Sequence, residues 1–218
     1  MVEQQLASAA ASALEDQLIN GAESGAIDNG KAASLYIFDG LRKLAFNATA
    51  TSQIDISSGG LSAANLTVLR KAMKQYGMRP EELVLICGYE GYGDLVALTA
   101  TLTDDVFSGG QSRIRTGNAA SVFGIDIVPS AAIAETLADD GANAEAAGTK
   151  GQVLLVHKPS FVLGTRKGFT VETDVDRVAQ KNLVIASFRR DFKPLETPSA
   201  TVPTVIHGIN IDTSQTAE

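Results

Sequence analysis

The hydrophobic pattern changes period in the second half of the chain. Residues 151–157 (GQVLLVH) hold an almost unbroken apolar run, the mark of a short buried strand. A break at Pro159 follows, and then the pattern alternates. Phe169, Val171, Thr173 and Val175 fall on one side, with Thr170, Glu172 and Asp174 on the other. Val184, Ala186, Phe188 and Phe192 mark a return strand, interrupted near its end by Arg189, Arg190 and Asp191. Period-two alternation gives each strand one packed face and one face left for water or a neighbour. Two long strands joined by a charged turn are therefore predicted.

Upstream the spacing is helical. Leu6, Ala10, Ala13, Leu14 and Leu18 form one stripe, and Asn20-Gly21 supplies a stop. A loop over 21–30 precedes a second predicted helix over 32–45 that buries Ile37, Phe38, Leu41 and Leu44. Residues 47–60 are polar, with Ile54 and Ile56 in a short strand. Ser62 caps a third helix through Leu66, Leu69, Met73 and Tyr76; Gly77 ends it and Pro80 lies beyond. Residues 83–87 read as a brief strand, followed by Gly88 and a helix carrying Leu95, Val96 and Leu98. A long exposed loop over 101–120, a strand over 122–128 stopped by Pro129, and a surface excursion over 139–149 come next. A last strand over 204–211 leads to a polar tail. Helices and strands mix without a regular βαβ beat or internal repeat, which predicts an α+β fold.

Composition narrows the class. In 218 residues, 44% hydrophobic and 20% charged, there is enough apolar material for one good-sized core or two small ones. A net charge of −7 argues against a dedicated nucleic-acid binder, but not against a wall that encloses DNA. The lone Cys87 excludes an intrachain disulfide and suits a reducing compartment. No apolar run is long enough to cross a bilayer, and the N-terminal residues lack the pattern of a secretory signal.

Candidate chemistry is sparse. Gly88, Gly91 and Gly93 follow an apolar strand, but their spacing fits neither a dinucleotide fingerprint nor a P-loop, and a strand-to-helix turn is the better account. Cys87, His157 and His207 lie far apart in sequence and form no nucleophile–base or metal set. They read as structural, with Cys87 a small buried hydrophobe. No catalytic, cofactor-binding or metal residue is assigned. Glu172, Asp174 and Asp176 repeat on one strand face and repel one another unless cations face them. Arg177, Lys181, Arg189 and Arg190 are the candidates, from the paired strand or from the next subunit. A solvated strand face is the bland account; ion pairs between subunits are favoured, and these seven residues form the candidate subunit interface.

The phrase VLGTRKGFTVETDVD…NLVIASFRRDF resembles the C-terminal half of the major capsid proteins of tailed bacteriophages, with their HK97-like fold. ALEDQLINGAESG is similar to the end of that family's long spine helix, and LVLICGYEGYGDLVAL and SVFGIDIVPS are similar to parts of its axial domain. The resemblance extends over nearly the whole chain in the same order. It implies a spine helix within the peripheral domain (1–30), an axial domain (31–160), peripheral-domain strands (161–200), an axial return strand (201–212) and a tail (213–218). It further implies no enzymatic activity but a structural role: a virion shell assembled in host cytoplasm from pentamers and hexamers of this chain around packaged DNA. Scaffold, portal and decoration proteins are its expected partners, with no cofactor and no membrane.

Family members carry an N-terminal arm and an extended loop ahead of the spine helix. Met1 falls near the start of that helix, so the resemblance implies a fragment, a processed product or an engineered version. Some relatives crosslink through a Lys, an Asn and a Glu. Asn182 stands near the Asn position and Arg189 at the Glu position, so crosslinking is not expected. An encapsulin-like compartment shell and a small nucleotide-binding α/β enzyme are the alternative readings.

Overall fold

The computed structural model describes residues 2–22, 37–48, 52–56, 60–98, 121–137, 149–176 and 181–212. Its helices are α1 (Val2–Asn20), α2 (Leu41–Ala48), α3 (Ala63–Ala72) and α4 (Tyr89–Ala97). Its strands are β1 (Gln53–Asp55), β2 (Leu83–Cys87), β3 (Ser121–Val122), β4 (Ile125–Pro129), β5 (Lys150–His157), β6 (Phe161–Asp176), β7 (Lys181–Pro194) and β8 (Val205–Asp212). Six strands form one mixed sheet in the order β1-β8-β5-β2-β4-β3, and β6 pairs with β7 in a separate two-stranded ribbon.

The unbroken apolar run of β5 exists because both faces of the sheet are covered. Val153 and Leu155 enter one core with Leu66, Leu69 and Met73 near α3 and Leu95 of α4. Leu154 and Val156 enter the other with Ile19 of α1, Phe38, and Leu41 and Ala45 of α2. β2 divides in the same way: Leu83, Leu85 and Cys87 face the first core, Val84 and Ile86 the second. One sheet therefore builds two cores back to back.

Several predicted elements are found close to where their residues place them. Ser62 caps α3, its Oγ accepting from Asn65 N at 3.2 Å. Leu66, Leu69 and Met73 are buried beneath it, as the spacing predicts. The ribbon strands and β8 also form over the predicted residues.

Two expectations are corrected. The second helix begins at Leu41, and Ile37, which the periodicity places inside, is 66% exposed in a bend. The cause is a close crossing. Gly40 N donates to Gly21 O at 2.8 Å, and a Cβ on Gly40 would lie 2.7 Å from Gln17 O, so the backbone here packs against the end of α1 and cannot be helical. The strand predicted over 122–128 is instead a hairpin. Phe123 and Gly124 take φ of 52° and 76°, the double positive φ of a tight two-residue turn. Pattern alone hides it, because phenylalanine is an unusual residue to turn on. The predicted loops over 101–120 and 139–149 lie outside the described residues, as does most of that over 21–30.

Candidate assembly interface

The ribbon stands off the sheet. β6 and β7 run antiparallel from Phe161↔Pro194 to Asp176↔Lys181, and among the described residues neither strand pairs with any other. Only its root joins the core: Phe192 is buried, stacked on Phe161 at 5.6 Å between centroids and tilted against Phe38 at 5.9 Å. Farther out, Val162, Leu163, Val184 and Ile185 are exposed apolar side chains, Ile185 to 52%. Phe169 and Phe188 face α1 across a groove of about 410 Å³ lined by Ala10, Leu14, Leu18 and Arg190. The alternation thus selects a face, and that face meets the opening helix without filling the space beneath it. A second apolar groove, of about 320 Å³, continues between α1 and the sheet past Ile19, Val84, Ile86 and Phe192.

The register separates the predicted charges. Glu172 lies opposite Ile185 and Asp174 opposite Leu183, whereas Arg189 lies opposite Lys167 and Arg190 opposite Thr165. Glu172 is five positions beyond Lys167, about 16 Å at the rise of a strand, so Arg189 cannot reach it within one chain. Glu172 is 3.9 Å from Lys167 Nζ instead. Asp176 and Lys181 are register partners at the far end of the ribbon; Arg177 lies outside the described residues. Two register shifts, between Thr165 and Lys167 and between Lys167 and Thr170, bend β6. Lys167 Nζ donates to Ser187 Oγ at 2.8 Å across the bend.

The joint between sheet and ribbon is tied by side chains. β5 ends at His157, and the 3-10 turn Lys158–Ser160 leads into β6. The His157 ring shares hydrogen bonds with Ser160 Oγ at 2.7 Å through Nδ1 and with Glu82 Oε2 at 3.1 Å through Nε2. Tyr76 packs on it edgewise at 5.1 Å. Lys158 Nζ reaches Asp126 Oδ2 at 2.9 Å. Returning from the ribbon, Leu195 N donates to Ser160 O and Thr204 O accepts from His157 N, both at 2.9 Å. Arg79 and His157 hold the Glu82 carboxyl below its ordinary pKa.

At the far end of α1, Ser130 Oγ donates to Glu15 Oε1 and Asn20 Nδ2 to Ala132 O, both at 2.6 Å, fastening that helix beyond β4.

The residues considered for catalysis are committed elsewhere. Cys87 is buried, and burial pushes its thiol up to about 12. His207 is fully buried against Gln152 Oε1 at 2.7 Å; burial first, and Arg42 second, lower it to about 3, so it is neutral. The turn after Gly88 is closed to an anion by the protein itself. Glu135 Oε1 accepts from Glu90 N at 2.8 Å, capping the start of α4 from 45 positions away. Burial raises the Glu135 carboxyl above its ordinary value. Sequence reading missed this cap, because nothing local to Glu135 marks it. Among the described residues there is no group of three or more His, Cys, Asp or Glu able to hold a metal, and no helix long and apolar enough to cross a membrane.

No family model matches the sequence, and no curated protein does. Comparison of structures is informative. The chain is similar to the protein of the holo-SrpI encapsulin complex from Synechococcus elongatus, with a TM-score of 0.57 at 14% identity, covering 100% of this chain and 68% of that one. It is similar to the capsid protein of an empty GTA particle (TM-score 0.56, 12% identity, 96% of this chain and 65% of that). It is also similar to the cyanophage Pam1 capsid (0.55, 12%, 80% and 58%). The chain spans about two thirds of the encapsulin protein and less than two thirds of the other two. Its fold is α+β and HK97-like, the architecture of icosahedral shells.

Proposed function

We propose that the chain is a structural subunit of an icosahedral shell, the major capsid protein of a tailed-phage head. The six-stranded sheet with α2–α4 acts as the axial domain and α1 with the ribbon as part of the peripheral domain. Copies meet as pentamers and hexamers around DNA, in a virion assembled in the host. The observation that carries this is the ribbon. A two-stranded ribbon is marginal in water unless something covers a face, and this one is long, self-paired and exposes Val162, Leu163 and Ile185. Neighbouring copies are the natural cover, because closed symmetry supplies the same partner surface to every subunit. The HK97-like fold supports the reading, and the commitment of Cys87, His207 and the α4 start to internal contacts leaves no coherent catalytic set to favour an enzyme.

The likeness to the encapsulin complex, which takes in the whole chain, favours a second reading: the same shell, enclosing protein in place of DNA. One experiment addresses both. The chain is expressed alone and from the full open reading frame that encodes it, and the products are imaged by negative-stain microscopy and analysed for content. Rings or closed shells are expected. Nucleic acid inside supports the phage head, and a co-purifying enzyme the compartment. A product that stays monomeric under all assembly conditions overturns both.

A further inference from the structure

The ribbon carries an unanswered cluster of positive charge near its root. Arg166, Arg189 and Arg190 line a groove of about 390 Å³ with Gly164, Thr165 and Asp191. Arg166 sits at the first register shift of β6, where a bulge re-aims a side chain. Gly164, opposite Asp191, leaves the floor of the groove open. Three guanidiniums therefore share the space with one carboxylate, and Asp191 itself lies 3.7 Å from Lys193 Nζ. Among the described residues no carboxylate forms an ion pair with any of the three arginines. Arg190 rests near the Phe188 ring, with its Nε buried and unpartnered. Like charges gathered this way repel until an anion joins them.

We infer that the arginine groove receives the Glu172–Asp174 segment of a second copy of this chain. This rests on the shell reading above and adds the residues that set the contact between neighbouring ribbons. Three observations select that occupant. The register keeps these carboxylates far from Arg189 in their own chain, so the complement exists but is out of reach. Glu172 and Asp174 are exposed and two positions apart, so both project from one face of an extended strand, about 7 Å apart, a spacing suited to adjacent guanidiniums. The groove also borders strand edges that pair with nothing else among the described residues, so an extended segment can lie along it. Each such pair is weak when exposed, but a ring repeats it at every subunit and fixes register.

Charge reversal tests the pairing. Arg166→Glu with Arg189→Glu, and separately Glu172→Lys with Asp174→Lys, are each expected to raise the concentration needed for assembly at least about tenfold. Their melting temperatures should stay near that of the parent. The chain carrying all four reversals is expected to regain assembly within about threefold of the parent, because attraction is restored with the signs exchanged. Parent-like assembly of either reversed chain, or no recovery in the fourfold variant, overturns the pairing while leaving the shell reading intact. Loss of packaged DNA with unchanged assembly in the arginine variant also overturns it, and assigns the groove to phosphate. A parent that never assembles overturns the shell reading first. Arg189→Gln covers the case in which reversal prevents folding: a smaller rise in the assembly threshold is expected, and none at all counts against the pairing.

Discussion

His157 and Glu82 meet at 3.1 Å at the point where the sheet hands the chain to the ribbon. Their partners come from both sides of that joint. Ser160 belongs to the turn entering the ribbon, while Tyr76 and Glu82 belong to the body beneath the sheet. The pair therefore couples the ribbon's direction to the sheet rather than adding to either core. Replacing His157 by Ala is expected to destabilise the chain by about 1–3 kcal/mol, from hydrogen bonds lost at a buried ring. Amide exchange should speed up at Leu195 and His157 more than at β8. A uniform change across the sheet would show that the ring is ordinary core.

Acid should weaken the fold through His207. Its folded pKa of about 3 lies below the ordinary 6.5, so above that value neither state carries the proton and there is no penalty. As pH falls below about 6.5 the unfolded chain takes the proton and the folded chain does not. Stability is then lost by about 1.4 kcal/mol per pH unit until the folded pKa is reached. Denaturant melts of the parent and His207→Gln from pH 7 to 4 check this. The variant should lose less stability on acidification, and equal slopes would refute the assignment.

Cys87 should resist thiol reagents. The thiolate is the reactive species, and burial holds this thiol near 12. No labelling is expected in the folded protein at pH 8, with full labelling on unfolding in denaturant. Labelling of the folded chain at the rate of a free thiol would contradict the burial of β2's last residue.

Phe192 is the apolar bolt between ribbon and core. Phe192→Ala removes its contacts with Phe38 and Phe161 and should cost about 3–5 kcal/mol. Phe192→Leu keeps much of the volume and should cost less. Chemical denaturation of the two variants measures the difference, and a loss below about 1 kcal/mol for alanine would mean that the ribbon root is not anchored there.

Much of this molecule is written locally. The apolar run of β5, the alternation of β6, and Ser62 ahead of Leu66, Leu69 and Met73 each specify an element through contacts a few residues apart, and periodicity reads such contacts directly. The absence of a nucleophile–base set was likewise visible, since Cys87, His157 and His207 each stand among apolar neighbours with no partner nearby in sequence. Other features arise from encounters between distant residues. Gly40 ends up against Gln17 and Gly21, which trims α2; Glu135 caps α4; His157 finds Glu82 across 75 positions. The sequence presented three acids and two arginines as possible cross-strand partners, and alternation was consistent with that. Only the pairing of β6 with β7, shifted by its bulges, set the charges apart, because register depends on which residues meet across the ribbon and not on either strand alone.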